Sequence, residues 1–97
     1  MQALAQDRPQ TERWFVYIAR CSDGSLYTGI ARNVKERILA HNAGRGARYT
    51  RMHGPVKLVY FEELPDRVAA QKRELEIKRW PREKKLHLIN DQLSFLP

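Results

Sequence analysis

Residues 14–29 read WFVYIARCSDGSLYTG and indicate a β-hairpin. The runs 14–18 and 26–30 are rich in aromatic and β-branched residues, which suit the pleated and half-buried surface of a strand. Between them, the sequence SDGS at 22–25 is a strong turn signal. The turn of this hairpin sets the register of the two strands and so decides which face of the sheet each side chain lies on.

The length of the turn leaves two registers open for the tyrosines of this hairpin. A two-residue loop of Asp23 and Gly24 places Tyr17 and Tyr27 on opposite faces. A three-residue loop, closed by Gly24 in the left-handed region, instead places both tyrosines on one face and pairs Tyr17 with Gly29. A slip of one residue turns every side chain of a strand over, so the two registers predict different sites.

Composition indicates one domain with a modest core. The chain has 97 residues, of which 42% are hydrophobic and 30% are charged, as in an ordinary globular domain. No apolar run approaches the ~18 residues of a membrane span, and the N-terminus lacks the basic and apolar regions of a secretory signal. The single cysteine, Cys21, cannot form an internal disulfide. We therefore expect a cytoplasmic protein with no membrane partner.

The net charge of +7 and the pI of about 10.0 indicate a polyanionic partner or a basic surface with no specific partner. Between positions 32 and 51 the only acid is Glu36, and Tyr49 lies among the basic residues Arg32, Lys35, Arg37, Arg45, Arg48 and Arg51. Such a run can neutralise phosphates while the aromatic ring stacks on a base. A second basic cluster is either a further backbone contact or a solvated face; it comprises Lys78, Arg79, Arg82, Lys84 and Lys85.

After the hairpin, a helix is predicted from Asn33 to about Ala43. Asn33 is a good N-cap with Glu36 three residues later, as in a capping box, and Gly44 is placed to end the helix. The apolar stripe of this helix consists of Val34 and Ile38, with Leu39 beside it. Residues 44–54 then form a loop or a short turn of helix.

The third strand is predicted at 55–62, and its apolar content on both faces indicates a central or well-covered strand. Asp66 is the predicted N-cap of the next helix, which ends near Trp80 because Pro81 breaks it. The buried side of that helix is Val68, Ala69, Ala70, Leu75 and Ile77. Pro81 also begins a last helix that runs to about Asn90. The apolar residues expected on the core beyond Pro81 are Leu86, Ile89, Leu93, Phe95 and Leu96.

The order of these elements is β-β-α-β-α-α. It predicts an α+β fold with a small three-stranded, mostly antiparallel sheet flanked by helices. We expect a flexible N-terminal arm at 1–12, the domain itself at 13–92, and a C-terminal tail at 93–97 that packs on the domain.

The position of Glu74 is hard to explain by packing. It lies four residues after Ala70 and three before Ile77, on or beside the inward stripe of its helix. A carboxylate in that place is costly unless it is paired, hydrogen-bonded or bound to a metal. An ion pair with Lys78, one turn later, or with another basic neighbour is one explanation, and a metal site is the other.

Each of the remaining candidate residues, taken alone, is weak evidence for a functional site. Three scattered histidines and one cysteine make no zinc signature, and the sequence has no glycine-rich phosphate loop. Arg37 and His41 lie four residues apart and therefore share one face of the first helix. Individually, Tyr17, Tyr27, Arg37 and His41 are each of a type that is more often structural or solvated than catalytic.

Taken together, these residues resemble the GIY-YIG nuclease family, which is named for two short strand motifs. The motifs correspond to positions 15–17, Phe-Val-Tyr, and 27–29, Tyr-Thr-Gly. The family's arginine, with a histidine four residues on, matches Arg37 and His41, and its later helical glutamate matches Glu74. The resemblance is strongest to small stand-alone bacterial members, which share ARYT at 47–50 and PVKLVY at 55–60. It also favours the three-residue turn.

The sequence departs from the family pattern at three positions. Phe15 stands where the first motif has glycine, and Thr28 stands where the second has isoleucine. Ile30 occupies a position where some members carry a lysine, and Arg32 would supply the missing charge if the strand continues. No separate DNA-recognition domain is expected, so sequence specificity should be low.

The resemblance implies hydrolysis of phosphodiester bonds with one divalent ion, Mg²⁺ or Mn²⁺, held by Glu74. It implies that Tyr17 is the general base for the attacking water and that Arg37 stabilises charge on the phosphate. Tyr27 and His41 would position water or phosphate, or pass protons. Contacts to nucleic acid are expected from Arg32, Lys35, Arg45, Arg48, Tyr49, Arg51 and Lys78, with Gly29 as a structural residue near the site and no small-molecule cofactor.

The main hypothesis is a DNA endonuclease of low sequence specificity. We expect it to select its substrate by DNA structure and to act in repair or recombination. The alternative is a catalytically idle nucleic-acid-binding module that kept the fold and the basic face. A protein-interaction domain is a third interpretation, and it leaves the charge of +7 unexplained. DNA or RNA preference and the oligomeric state stay open at this point.

Overall fold

The computed structural model describes residues 13–94. The predicted arm at 1–12 lies outside the described residues, as do Phe95 and Leu96 of the predicted tail, so both remain predictions. Leu93, which the sequence assigned to the tail, is instead the last residue of a helix and is about half exposed.

Three strands form the sheet: β1 Trp14–Cys21, β2 Leu26–Ala31 and β3 Val56–Leu64. β1 lies in the centre and pairs antiparallel with both neighbours, so the strand order is β2-β1-β3. The predicted α+β fold with a small antiparallel sheet is confirmed.

The register of the hairpin is the one that a three-residue turn produces. Tyr17 pairs with Gly29, and Ala19 pairs with Tyr27. Gly24 has a φ of 87°, the left-handed conformation that a glycine adopts without a steric penalty. Both tyrosines therefore lie on the same face of the sheet, as the favoured register predicts.

β3 is an edge strand with apolar residues packed on both faces, so of the two predicted alternatives, a central or a well-covered strand, the second applies. Its apolar residues are divided between the two faces of the sheet, and helices partly cover each face. Its outer edge is capped by a side chain: the Gln92 amide donates to the Phe61 carbonyl oxygen at 2.6 Å and accepts from the Phe61 N–H at 3.2 Å. Gln92 thus occupies the position that a neighbouring strand would take.

Four helices complete the fold: α1 Val34–Asn42, α2 Arg48–His53, α3 Arg67–Lys78 and α4 Arg82–Leu93. The predicted caps are present, since Asn33 accepts from the Glu36 N–H at 3.0 Å and Asp66 accepts from the Ala69 N–H at 2.9 Å. α2 is the short turn of helix that was predicted at 44–54 as the alternative to a loop. Pro81 is the N-cap residue of α4 rather than its first helical residue, and α4 runs three residues further than predicted.

Apolar clusters lie on both faces of the sheet because successive residues of a strand point to opposite sides. The cluster between the sheet and the two last helices contains Val16, Ile18, Tyr60, Ala70, Ile77 and Ile89. The cluster beneath α1 contains Tyr17, Ala19, Cys21, Ala31, Val34 and Val56. Within the described part of the chain, no helix has the length and hydropathy needed to cross a membrane.

Three apolar residues that were predicted on or beside buried stripes are exposed. Val68 and Leu75 each lie two residues before a buried position of α3, which turns them about 200° around the helix axis; their exposed fractions are 60% and 53%. Leu39 of α1 is also exposed. The helices therefore bury narrower stripes than their apolar content predicts.

Candidate active site

The Tyr17 side chain lies on the α1 face of the sheet, directly over Gly29. It is 1% exposed. A Cβ atom on residue 29 would lie 2.6 Å from the Tyr17 hydroxyl oxygen and 2.8 Å from its Cζ atom, which is closer than non-bonded atoms approach. The ring therefore occupies the space that a side chain at position 29 would fill.

His41, in the last turn of α1, connects Tyr17 to α2 through a chain of hydrogen bonds. The Thr50 hydroxyl donates to the Ala47 carbonyl oxygen at 2.9 Å. Because a hydroxyl has a single proton to donate, Thr50 must accept from the His41 Nδ1–H, at 2.6 Å. The His41 Nε2 atom then carries the lone pair, and it accepts the Tyr17 O–H at 2.8 Å. The network thus assigns a neutral His41 with its proton on Nδ1.

Burial sets the protonation states of this pair. Desolvation, with a smaller contribution from Tyr27, raises the pKa of Tyr17 to about 12, and Arg37 opposes that rise by hydrogen bonding and by its charge. Desolvation is also the main reason that the pKa of His41 is lowered, with the positive charge of Arg37 second. At neutral pH the site therefore holds a protonated phenol next to a neutral imidazole that is ready to accept its proton.

Gly46 and Thr50 are two residues of this site that sequence reasoning did not single out. Thr50 is 1% exposed and fixes the His41 ring. A Cβ atom on Gly46 would lie 2.7 Å from both the Cα and the Cγ atom of His41. The ARYT run of the family resemblance contains Thr50 and was the available signal; nothing in the spacing marks Gly46.

Arg37 and Tyr27 lie beside the same pair. As predicted, Arg37 shares a face of α1 with His41 and Tyr27 shares a face of the sheet with Tyr17. The effect of Arg37 on the pKa values of both Tyr17 and His41 places its guanidinium beside them. The ring centroids of Tyr27 and His41 are 5.3 Å apart, and those of Tyr27 and Tyr17 are 6.3 Å apart. The structure thus brings four of the predicted catalytic residues together at the junction of the hairpin and α1.

Glu74 approaches this group from α3. Its side chain is 18% exposed and forms an ion pair with Lys78, with 3.2 Å between Oε2 and Nζ, which is the pairing that the sequence left open. Its negative charge also contributes to the raised pKa of Tyr17, as the smallest of the causes. Arg73, by contrast, pairs with Glu62 and Glu76. Glu74 therefore forms an ion pair with Lys78 and also lies near Tyr17.

Glu74 offers one carboxylate, which suits an open site for a hard divalent ion rather than a site whose ligands all come from the protein. Among residues 13–94, no group of three or more histidine, cysteine, aspartate or glutamate side chains is placed to hold a metal. Mg²⁺, however, commonly binds through one or two carboxylates and takes its remaining ligands from water and substrate phosphate. A single half-buried carboxylate beside Tyr17 fits that mode of binding.

The predicted nucleic-acid contacts are only partly brought to the site. Arg32 and Arg37 line one shallow cavity of about 430 Å³, and the Arg32 guanidinium also lies over the Trp14 ring at 5.3 Å. Lys35 lines a different, largely apolar cavity with Phe15. The basic residues of the segment between α1 and β3 are exposed; they are Arg45, Arg48 and Arg51. Tyr49 and Lys78 line another cavity together with Tyr27. Lys78 is the residue that pairs with Glu74.

Comparison with known proteins finds a matching family and similar relatives. A family model described as the GIY-YIG catalytic domain matches residues 13–87. The chain is 49% identical over 80 residues to UPF0213 protein SSP2268 of Staphylococcus saprophyticus, which covers 82% of this chain and 98% of that protein.

Two solution NMR structures are similar to this fold. One is UPF0213 protein BH0048 from Bacillus halodurans, with a TM-score of 0.52 and 42% identity over 80% of this chain and 83% of that one. The other is protein EF2693 from E. faecalis, with a TM-score of 0.58 and 30% identity over 89% of this chain and 92% of that one. The similarity thus extends across nearly all of the described residues.

Proposed function

Because the chain belongs to the GIY-YIG family of nuclease domains, we propose that it is a metal-dependent endonuclease that hydrolyses phosphodiester bonds in DNA with low sequence specificity. The observation that supports the proposal most is the hydrogen-bonded chain from Tyr17 through His41 to Thr50, placed beside Arg37. Selectivity for DNA structure, and with it a role in repair or recombination, belongs to the same proposal.

Tyr17 acts together with His41 rather than as a lone general base. With a pKa of about 12, about one Tyr17 in 10⁵ is ionised at pH 7, and ionising the phenol in advance costs about 7 kcal/mol. The lone pair of the His41 Nε2 atom removes this difficulty. As the phenol oxygen takes a proton from the attacking water, the phenol proton passes to Nε2, so no free phenolate has to accumulate.

The Arg37 guanidinium, the cation of this site, supports the same proton transfer. Burial, and after it the positive charge of Arg37, lowers the pKa of His41, which keeps the imidazole neutral and able to accept a proton. The same guanidinium would stabilise the negative charge that develops on the scissile phosphate. Tyr27, with its ring 5.3 Å from that of His41, would hold the water or the phosphate in place.

Glu74 is the residue that would hold one Mg²⁺ or Mn²⁺ ion. When bound, the ion neutralises and polarises the phosphate oxygens. Lys78 must release the carboxylate for this, and because its side chain is 48% exposed, water can solvate the ammonium once the ion pair opens. The released ammonium is then available to a phosphate of the substrate.

The test is cleavage of end-labelled single-stranded, duplex and branched DNA with Mg²⁺, with Mn²⁺ and with a chelator. Wild-type protein should cut only with metal, and Glu74→Gln should abolish that cutting. Glu76→Gln is the matched control, because Glu76 lies on the same helix and pairs with Arg73 instead. It should cut like the wild type.

Two results would count against the nuclease. Cutting that survives the chelator or Glu74→Gln would separate the activity from the proposed metal ligand. Failure of the wild type to cut any of the substrates, together with salt-sensitive DNA binding, would instead support the binding module, a candidate that the Glu74–Lys78 ion pair favours.

A further inference from the structure

An open pocket lies next to Tyr27, and Arg37 is not among the residues that line it. It has a volume of about 250 Å³, and its lining residues are Leu26, Tyr27, Thr28, Tyr49, Lys78 and Lys85. These residues come from β2, from α2 and from the two last helices, which are distant in sequence. The fold therefore brings part of the second basic cluster beside Tyr27.

Three rings form a near-parallel row that includes two residues of this pocket, Tyr27 and Tyr49. Tyr49 stacks on His53 with 4.1 Å between ring centroids and 14° between ring planes. Its ring is also near-parallel to that of Tyr27, at 6.2 Å and 21°. We refer to Tyr27, Tyr49 and His53 as the aromatic row. The row continues to the site itself, because Tyr27 also contacts His41.

The row is held in place although its central ring is exposed. Tyr49 is 42% exposed, so the core does not require its ring. His53 supports that ring from one side and is itself fixed, because its Nδ1–H donates to the Tyr49 carbonyl oxygen at 2.8 Å and its Nε2 lies 3.8 Å from an Asp23 carboxylate oxygen. A supported and accessible ring of this kind is a platform on which another planar group can stack.

The charges in the pocket indicate what that planar group belongs to. Lys78 and Lys85 line the same pocket as Tyr27 and Tyr49. Aromatic rings beside cationic side chains bind a nucleotide through both its base and its phosphate. In a duplex, neighbouring bases cover both faces of each base, so the row is able to stack only on a base that has left the helix.

We propose that the aromatic row, with Lys78 and Lys85, is a subsite for one unpaired base next to the scissile phosphate. The subsite rests on the proposed function, and it defines the substrate class as nucleic acid with a single-stranded nucleotide at the site of cleavage. Fully paired duplex then makes only backbone contacts and binds more weakly.

The test is equilibrium binding in a chelator, measured by fluorescence anisotropy, so that no cleavage occurs. The probes are a dye-labelled oligothymidine and an abasic oligomer of the same length and charge. Wild-type protein should bind the oligothymidine about tenfold more tightly, as expected for one stacked base. Tyr49→Leu should remove this preference, whereas Tyr49→Phe, which keeps the ring, should retain it.

Met52→Ala is the matched control, because Met52 lies on α2 and is 74% exposed; it should leave the preference unchanged. Equal binding of the two oligomers by the wild type, or a preference that survives in a folded Tyr49→Leu protein, would overturn the subsite and leave the nuclease intact. Failure of the wild type to bind either oligomer at low salt would contradict the proposed function itself. Circular dichroism establishes that each variant is folded.

Discussion

Replacing Gly29 with alanine places a methyl group against the buried Tyr17 ring. The new Cβ atom would lie 2.6 Å from the hydroxyl oxygen and 2.8 Å from the Cζ atom, whereas non-bonded heavy atoms settle at roughly 3.5 Å. The ring or β2 must therefore yield by roughly 0.5–1 Å. The ring has little freedom to do so, because it is 1% exposed and its hydroxyl is bonded to His41.

Overpacking of this size should destabilise the domain by about 1–3 kcal/mol, which lowers the melting temperature by roughly 5–20 °C for a chain of this length. The hydrogen bond of 2.8 Å between Tyr17 and His41 should not survive such a displacement. Cleavage by the folded variant should fall by about a hundredfold, because a misplacement of about 1 Å has that effect in an active site. Thermal unfolding and single-turnover cleavage measure the two effects separately.

A double-mutant cycle with Tyr17→Phe tests the cause. Removing the hydroxyl removes the shortest contact, so Gly29→Ala should cost less stability in that background and no further activity. A Gly29→Ala protein that melts and cuts like the wild type would refute the reasoning. An effect of equal size in both backgrounds would show that the Tyr17 hydroxyl is not the obstacle.

Three further predictions follow from buried polar groups. Thr50→Val leaves the His41 Nδ1–H without its acceptor and should cost about 1–3 kcal/mol of stability; retention of the wild-type melting temperature would contradict this. Thr28→Val should stabilise the fold by about 1 kcal/mol, because the Thr28 hydroxyl is buried without a partner among residues 13–94, and a lower melting temperature would count against it. The pKa of His41 is lowered from 6.5 in the folded state, so the unfolded state binds its proton first and stability should decrease as pH falls below about 6.5. Chemical unfolding across pH should show a shallower decrease for His41→Gln than for the wild type, and cleavage should also fall once His41 is protonated.

Much of the hairpin and α1 was predictable because short-range rules govern both. The turn chemistry at Gly24, together with the family resemblance, selected the register that pairs Tyr17 with Gly29. Helical spacing placed Arg37 and His41 on one face, and the structure puts both beside Tyr17.

Contacts between distant elements were not predictable in the same way. The bond from Thr50 to His41 and the close approach of Gly46 depend on how α2 folds back on α1, which no periodicity encodes. The edge position of β3 was left open for a related reason: apolar residues on both faces suit a central or a well-covered strand, and the Gln92 side chain that satisfies its outer edge lies far along the sequence.

The proposed mechanism requires the Tyr17 hydroxyl to take part in cleavage. Single-turnover cleavage by the Tyr17→Phe and Tyr60→Phe variants is the most direct test of that role. Tyr60 is a matched control, since it is buried, donates to Glu62 at 2.6 Å and has a pKa raised to about 12, mainly by burial. Tyr17→Phe should lower the cleavage rate by about 10²–10⁴-fold, whereas Tyr60→Phe should cut at the wild-type rate. Equal losses in the two variants, or full activity in Tyr17→Phe, would show that the Tyr17 hydroxyl has no specific part in cleavage.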